Sequence, residues 1–347
     1  MSKNKILVTG GCGYIGSHTI IQLIRNTDFE VVSVDNCINS SENTLCRIEA
    51  ITDKVIKNYN VDLRDREKTA SVFEENKDIV GVIHFAALKA VGESVEKPDW
   101  YYDNNINSLL NILWCCEKYG VVNFIFSSSC SLYGNVDEKY LPVTEDTPLA
   151  PTESPYAHTK KIGEEIIQNL IHVNDIQAIS LRYFNPVGAD KTGLNGENPI
   201  NRPNNLVPFI TQTAVGILPK LTVFGADYKT RDGSCIRDYI HVTDIADAHI
   251  KAMEYLLAGK NEENYEVYNL GTGNGVTVLE VIEAFERVTG EKLNYEVGPR
   301  RPGDVEAIYS NSAKALEKLG WKTEIDLDQM MRSAWKWQQT LMKEKEG

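Results

Sequence analysis

The chain has 347 residues, 42% of them hydrophobic, and its 36 basic and 49 acidic side chains give a net charge of −13. That balance excludes a nucleic-acid binder, which would show a basic face, and any anionic ligand must be met by local cations. Length and apolar content suffice for one large or two moderate domains, and no apolar run approaches the ~18 residues of a membrane span.

Ile6-Leu7-Val8 is a continuous apolar run of the kind buried on both faces of a parallel sheet. It leads into Thr9-Gly10-Gly11-Cys12-Gly13-Tyr14-Ile15-Gly16, where Gly10, Gly13 and Gly16 stand three apart and Gly11, Gly13 and Gly16 fit G-x-G-x-x-G. Without Cβ atoms, such a turn lets backbone N–H groups approach a pyrophosphate at the positive end of the next helix, expected over 14–26. A glycine pattern alone is weak and needs a strand before it, a helix after it and an acid about 20 residues on. Val31-Val32-Ser33-Val34-Asp35 supplies the second strand and the acid. A carboxylate there accepts from ribose hydroxyls and repels a 2′-phosphate, which favours NAD over NADP. The first strand begins within five residues of Met1, so no signal peptide is expected. Seven cysteines with no C-x-x-C pair and no cysteine/histidine cluster read as reduced thiols of a cytoplasmic protein.

The polar turn from Asn36 to Ser41 follows, then a helix expected over 42–52 and a strand over 57–62. Asp62-Leu63 either meets an adenine amine or, through Asp62, caps the helix expected over 65–75. The fourth strand, 80–87, ends in the small residues Ala86 and Ala87, against which a flat cofactor can lie. His84 inside it reads as a core histidine, while Lys89 beyond it either reaches a phosphate or is solvated. Pro98 and Gly120 bracket a long helix over 98–119. Asn104, Asn105 and Asn107 are out of place there unless one hydrogen-bonds a buried group.

The fifth strand, 121–126, delivers the cluster Ser127-Ser128-Ser129 to the same sheet edge. Its partner is Tyr156-Ala157-His158-Thr159-Lys160, opening a helix expected to reach Asn174, with tyrosine and lysine four apart on one face. The ammonium, together with a positive nicotinamide, would lower a phenol pKa normally near ~10. The phenol could then give and take a proton from a sugar hydroxyl. The sixth strand, 177–182, ends in Tyr183-Phe184-Asn185-Pro186, and residues 187–208 read as a loop entering a second lobe. Strands over 221–224, 239–242 and 267–270 and helices over 243–258 (Thr243 as N-cap), 278–289 and 327–340 complete the chain. The terminus 343–347 is expected to fray.

The glycine turn 9–16, the Ser129/Tyr156/Lys160 set and Arg182-Tyr183-Phe184-Asn185 resemble the extended short-chain dehydrogenase/reductases. Phe85 to Pro98, Pro203 to Leu206, Arg237 to Val242 and Arg300 to Asp304 are further similar to the UDP-glucose 4-epimerase family, over essentially the whole chain. The resemblance implies an α/β fold in which a Rossmann-like doubly wound parallel sheet, 1–184 with 238–272, carries NAD. Beside it, a smaller mixed α/β domain, 185–237 with 273–347, would bind the nucleotide-sugar. It implies C4 epimerisation of UDP-glucose and UDP-galactose through a 4-keto intermediate, in a homodimer paired through helices 98–119 and 156–174. Tyr156 would carry the 4-hydroxyl proton, Ser129 would hydrogen-bond the same oxygen, and Lys160 would hold the nicotinamide ribose and bias the phenol.

For NAD the resemblance implies Gly10, Gly13, Tyr14, Ile15, Gly16, Asp35, Asn36, Asn39, Ser40, Asp62, Leu63, Phe85, Ala86, Ala87, Lys89, Asn104, Ser127, Tyr156, Lys160, Tyr183 and Phe184. For the nucleotide-sugar it implies Lys89, Ser129, Tyr156, Asn185, Asn204, Asn205, Leu206, Thr222, Phe224, Arg237, Tyr239, Arg301, Asp304 and Ile308. Two arginines suit a diphosphate, since they offer forked donors, and Arg300 reads as a solvated charge. A nucleotide-sugar 4,6-dehydratase is the rival reading, but relatives of that kind carry Asp-Glu where this chain has Cys130 and Ser131. A non-catalytic NAD-binding module would not need Ser129, Tyr156 and Lys160 together. Ile308 stands where the family places tyrosine to exclude an acetamido group or a small residue to admit it, which leaves UDP-N-acetylglucosamine as an open alternative substrate.

Overall fold

The computed structural model describes residues 4–200, 202–301 and 304–346. The first half runs β1 (Lys5–Thr9), α1 (Tyr14–Asn26), β2 (Glu30–Val34), α2 (Asn43–Thr52), β3 (Lys57–Tyr59), α3 (Arg66–Glu75), β4 (Ile79–His84), α4 (Val91–Glu96), α5 (Pro98–Tyr119), β5 (Asn123–Ser127), α6 (Pro155–Leu170) and β6 (Gln177–Tyr183). The second half holds β7 (Asn185–Val187), α7 (Leu206–Ala214), β8 (Leu221–Phe224), β9 (Ile236–Arg237), β10 (Tyr239–His241), α8 (Val242–Leu257), β11 (Tyr265–Leu270) and β12 (Val276–Thr277). It ends with α9 (Val278–Thr289), β13 (Tyr295–Gly298), β14 (Ala307–Ile308), α10 (Ala313–Leu319) and α11 (Leu327–Glu346).

Seven strands pair in parallel in the order β11-β6-β5-β4-β1-β2-β3. The order reverses between β1 and β4, and in open α/β sheets a ligand crevice opens beyond the carboxyl ends of the strands at such a point. Alternate residues face opposite layers. Ile6, Val8, Ile83 and Ile125 pack with Ile20 and Leu23 of α1 and Ile245 and Met253 of α8. Leu7, Val82, Phe124 and Phe126 meet Phe73, Leu109, Ile112 and Ile167 of α3, α5 and α6. Covered on both sides, the strands therefore read as apolar runs. A separate core formed by Val207, Ile210, Leu221, Val281, Phe285 and Met331 holds the second lobe together. Among the described residues, no helix is long and apolar enough to cross a membrane.

Local chemistry explains where the elements start and stop. The helix α5 begins on Pro98 and ends on Gly120 at φ 71°, as its sequence signals specify. Of Asn104, Asn105 and Asn107, Asn105 is the one turned inward, donating to Leu88 O and Thr159 Oγ1 and accepting from Leu88 N. The strand β3 stops at Tyr59, where the Val61 N–H turns back onto the Tyr59 carbonyl. Asp62 does not cap α3; Asp65 does, accepting from Lys68 N. The cap of α8 is His241, whose ring accepts from Thr243 N, so Thr243 lies inside the helix. The helices α4, α7 and α10 were not expected, α7 beginning at Leu206 inside the stretch read as a loop, while α6 stops at Leu170 and α11 runs on to Glu346. Pro302 and Gly303 of the Arg-Arg-Pro-Gly-Asp motif lie outside the described residues.

Candidate active site

The glycine turn and the ends of β2 and β4 meet beside β1. Gly10 takes φ +71°, and a Cβ there would meet Ala86 N at 2.8 Å; at Gly16 a Cβ would meet Gly10 O at 2.2 Å. These two residues let α1, the turn and the segment after β4 touch. Gly13 differs, because the nearest atom to a Cβ would be Gly10 O at 3.1 Å. It starts α1 with no side-chain cap, so Tyr14, Ile15 and Gly16 carry the uncapped first turn. The Tyr14 hydroxyl donates to Gly188 O at 2.7 Å.

Asp35 folds back onto the turn. Its Oδ2 accepts from Cys12 N at 3.0 Å, and its Oδ1 accepts from Cys37 N at 2.8 Å and Ser40 Oγ at 3.0 Å. A carboxylate has about four acceptor sites, so capacity remains for a ribose hydroxyl. Burial pushes the Asp35 carboxyl upward against those hydrogen bonds. Asn36 accepts from Ile38 N, and Asn39 reaches Ala87 O at 3.4 Å, tying the loops after β2 and β4 together. Phe85 packs its ring on His249, with centroids 4.5 Å apart. Asp62 is engaged by Arg64 at 2.7 Å, which holds its carboxyl below the usual range, and the same guanidinium also reaches Asp103 of α5. Leu63 is buried, and its carbonyl accepts from Asn111. His84 is a core histidine, with Nδ1 2.8 Å from Thr9 Oγ1.

Beyond β5, Lys160 Nζ donates to Ser127 O at 2.6 Å and lies 6.0 Å from the Tyr156 ring centroid. Burial brings the Lys160 ammonium down to about 8, with Glu164 opposing. Ser129 caps the 3₁₀ turn 130–133, its Oγ accepting from Ser131 N at 3.2 Å. Burial, with Tyr183 adding to it, pushes the Tyr156 phenol well above its ordinary value, and the Ser129 hydroxyl pulls it back. The expected acidification by Lys160 is therefore not the dominant influence in the protein itself: the ammonium is aimed at the Ser127 carbonyl. Ser127 Oγ pairs with Tyr183 OH at 2.6 Å, Phe184 packs with Leu132 and Ile308, and Asn104 donates to Asn105 at 3.1 Å.

Beneath this set, Glu164 takes Ser128 Oγ at 2.5 Å and Arg182 Nη2 at 2.6 Å. This buried ion pair locks α6, with Tyr156 and Lys160, onto β6. Sequence reasoning missed Glu164, although it stands four residues after Lys160 on one helical face.

The second lobe contributes Asn185 on β7, Arg237 on β9 and Ile308 on β14, and Tyr239 of β10 pairs beside Asn185. Asp304 Oδ1 lies 2.8 Å from Arg301 Nη2 and 3.7 Å from Arg237 Nη2, so two guanidiniums share one carboxylate. Arg301 stands over Phe224 of β8, at whose second position Thr222 is half-buried. Tyr239 is buried, which raises its phenol. Arg300 is exposed but not free: it pairs with Asp227 at 2.7 Å and covers the Tyr228 ring at 4.1 Å. Asn204 is exposed, Asn205 is the N-cap of α7, and Leu206 is its first residue. Lys89 and Asn205 both meet Glu197, another residue the sequence did not single out.

A family model described as GDP-mannose 4,6 dehydratase matches residues 7–334. With the doubly wound sheet, the glycine turn and the Tyr156/Lys160 helix facing Ser129, this defines an extended short-chain dehydrogenase/reductase that modifies nucleotide-sugars. The chain is 48% identical over 334 residues to the UDP-glucose 4-epimerase of Bacillus subtilis, covering 96% of each. It superposes with a TM-score of 0.94 on the Stenotrophomonas maltophila UDP-glucose-4-epimerase with bound NAD and formylated UDP-arabinopyranose (42% identity, 99% and 100% covered). The Bifidobacterium longum UDP-glucose 4-epimerase in complex with NAD+ and UDP gives 0.91 (46% identity, 97% and 98% covered). The chain belongs to the UDP-glucose 4-epimerase family.

Proposed function

We propose that this protein interconverts UDP-glucose and UDP-galactose by inverting C4 of the hexose, with NAD as a resident cofactor. The observation that carries the reading is the convergence of Ser129, Tyr156 and Lys160 at the end of β5, on the sheet edge that also holds the glycine turn and Asp35. The cradle suits a dinucleotide. Gly13 leaves the start of α1 open, and Asp35 keeps acceptor capacity where an adenosine ribose would lie. When bound, NAD supplies reversible hydride acceptance, so the reaction has no net redox change.

The chain's own groups handle the proton and the diphosphate. Tyr156 takes the proton from the sugar 4-hydroxyl and returns it to the same oxygen once C4 has presented its opposite face, while Ser129 donates to that oxygen. Lys160, still largely protonated at neutral pH, places positive charge beside the phenol. Arg237 and Arg301 share only the Asp304 carboxylate, so this trio keeps one net positive charge for a diphosphate. Dehydration would need carboxylates after Ser129, and the 3₁₀ turn there carries Cys130 and Ser131. We divide the chain into a dinucleotide lobe, 1–184 with 238–272, and a nucleotide-sugar lobe, 185–237 with 273–347. Seven free cysteines fit a reducing cytoplasm, and the packed pair α5 and α6, with Leu110 exposed, is the face we assign to a homodimer.

The test is to incubate the purified protein with UDP-galactose and no added dinucleotide. UDP-glucose is expected to accumulate toward equilibrium, and unchanged UDP-galactose would overturn the assignment.

A further inference from the structure

Glu197 lies in the irregular segment between β7 and α7. Its backbone carbonyl accepts from Trp337 Nε1 of α11 at 2.9 Å, and its side chain is only 11% exposed. One carboxylate oxygen, Oε1, receives two groups from different parts of the fold. Asn205 Nδ2, at the start of α7, donates to it at 2.7 Å, and Lys89 Nζ, from the loop after β4, lies 3.3 Å away. Lys89 also stands 5.9 Å over the Tyr14 ring at the glycine turn. A carboxylate is the wrong charge for a site that receives a diphosphate, so it acts through the groups it holds. With its nitrogen committed to Glu197, Asn205 keeps its carbonyl oxygen as an acceptor for another partner. Lys89, a flexible four-carbon chain with a point charge, stays half exposed and is tethered by Glu197 between the glycine turn and α7.

We infer that Glu197 is a positioning residue for the nucleotide-sugar: it sets the Lys89 ammonium and the Asn205 carboxamide before the substrate arrives and thereby links the segment after β4 to α7. This rests on the functional reading above. Glu197 touches neither reacting atom, so its loss weakens binding of substrate and transition state alike, which raises KM and spares kcat.

The experiment compares Glu197→Gln and Glu197→Ala with wild type, using UDP-galactose. Glu197→Ala should raise KM about tenfold, the usual worth of a hydrogen bond to a charged group, with kcat changed less than about threefold. Glu197→Gln keeps an acceptor for Asn205 and loses the charge facing Lys89, so it should recover part of the loss. Lys89→Met should raise KM in the wild-type background and add little in the Glu197→Ala background, because partners in one network are not additive. NAD released on denaturation should be equal in wild type and both Glu197 variants. Wild-type KM in both Glu197 variants, full additivity with Lys89→Met, or a fall in kcat at unchanged KM would overturn the role. An inactive wild type would instead overturn the functional reading. If Glu197→Ala fails to fold, the KM of Glu197→Gln and its additivity with Lys89→Met decide the matter.

Discussion

A phenol that must pass a proton sits where burial opposes its ionisation, and Tyr156 is held well above its ordinary pKa with only Ser129 pulling it down. The proton therefore stays on the phenol until positive charge in the site makes phenolate tolerable, and Lys160, brought down to about 8, is one source of it at neutral pH. Removing only the hydroxyl isolates this contribution. Tyr156→Phe should retain NAD and fold normally, yet lose about 10²–10⁴-fold in kcat, the worth of one positioned acid/base; a rate within tenfold of wild type, measured by UDP-glucose formation, would refute the role. Tyr156 and Lys160 were legible because helical spacing puts them on one face. Glu197 was not, since a single acid in an aperiodic segment carries no spacing, and its partner Lys89 lies 108 residues away.

At the scale of the element, the glycine turn separates two uses of one residue type. Gly16 is needed by the protein, since a Cβ would press into Gly10 O at 2.2 Å, whereas at Gly13 a Cβ would stand 3.1 Å from the same carbonyl oxygen, which need give only by a few tenths of an ångström. Gly13→Ala should unfold at nearly the wild-type urea midpoint but carry several-fold less NAD, because the methyl stands where a pyrophosphate approaches. Gly16→Ala should lose stability itself, by the few kcal/mol of a backbone clash in a packed turn. Equal urea midpoints for the two variants would remove the distinction. The same locality explains which elements could be read in advance. The helices α5 and α9 carry their own stops, Gly120 and Gly290, and α9 carries a capping box of Thr277 and Glu280. The helix α4, six residues without a side-chain cap, has no such marks; Asn105 and Tyr101 of α5 hold the segment Leu88–Ala90 that precedes it. Its existence depends on contacts that no local pattern encodes.

Across the whole molecule, the parallel sheet was readable because strands covered on both faces must be apolar. In the second lobe β8, α9 and the start of α11 were readable too, whereas β9 and β14, two residues each, were not, because they pair with segments distant in the chain. Burial of histidines creates a liability to acid. His84, His241 and His249 are drawn by burial to about 3, about 3 and about 4, with the charge of Lys160 assisting at His84 and that of His18 at His241. Each is neutral in the fold but would protonate near ~6.5 in the unfolded chain. As pH falls from about 6.5 toward about 4, the unfolded state binds more protons and stability is lost, by up to about 1.4 kcal/mol per pH unit for each histidine. Asp244, raised to about 6 by burial, takes up its proton in the fold first and offsets part of that loss, as do Asp35 and Glu145. The histidine share is separable by substitution. His249 holds its Nδ1 proton on Ile245 O and leaves Nε2 without a partner, so it has no acceptor to stabilise a second proton. In urea titrations at about pH 6 and about pH 5, the fall in unfolding free energy should be about 1 kcal/mol smaller for His249→Gln than for wild type. An identical fall would mean that His249 gains its proton inside the fold.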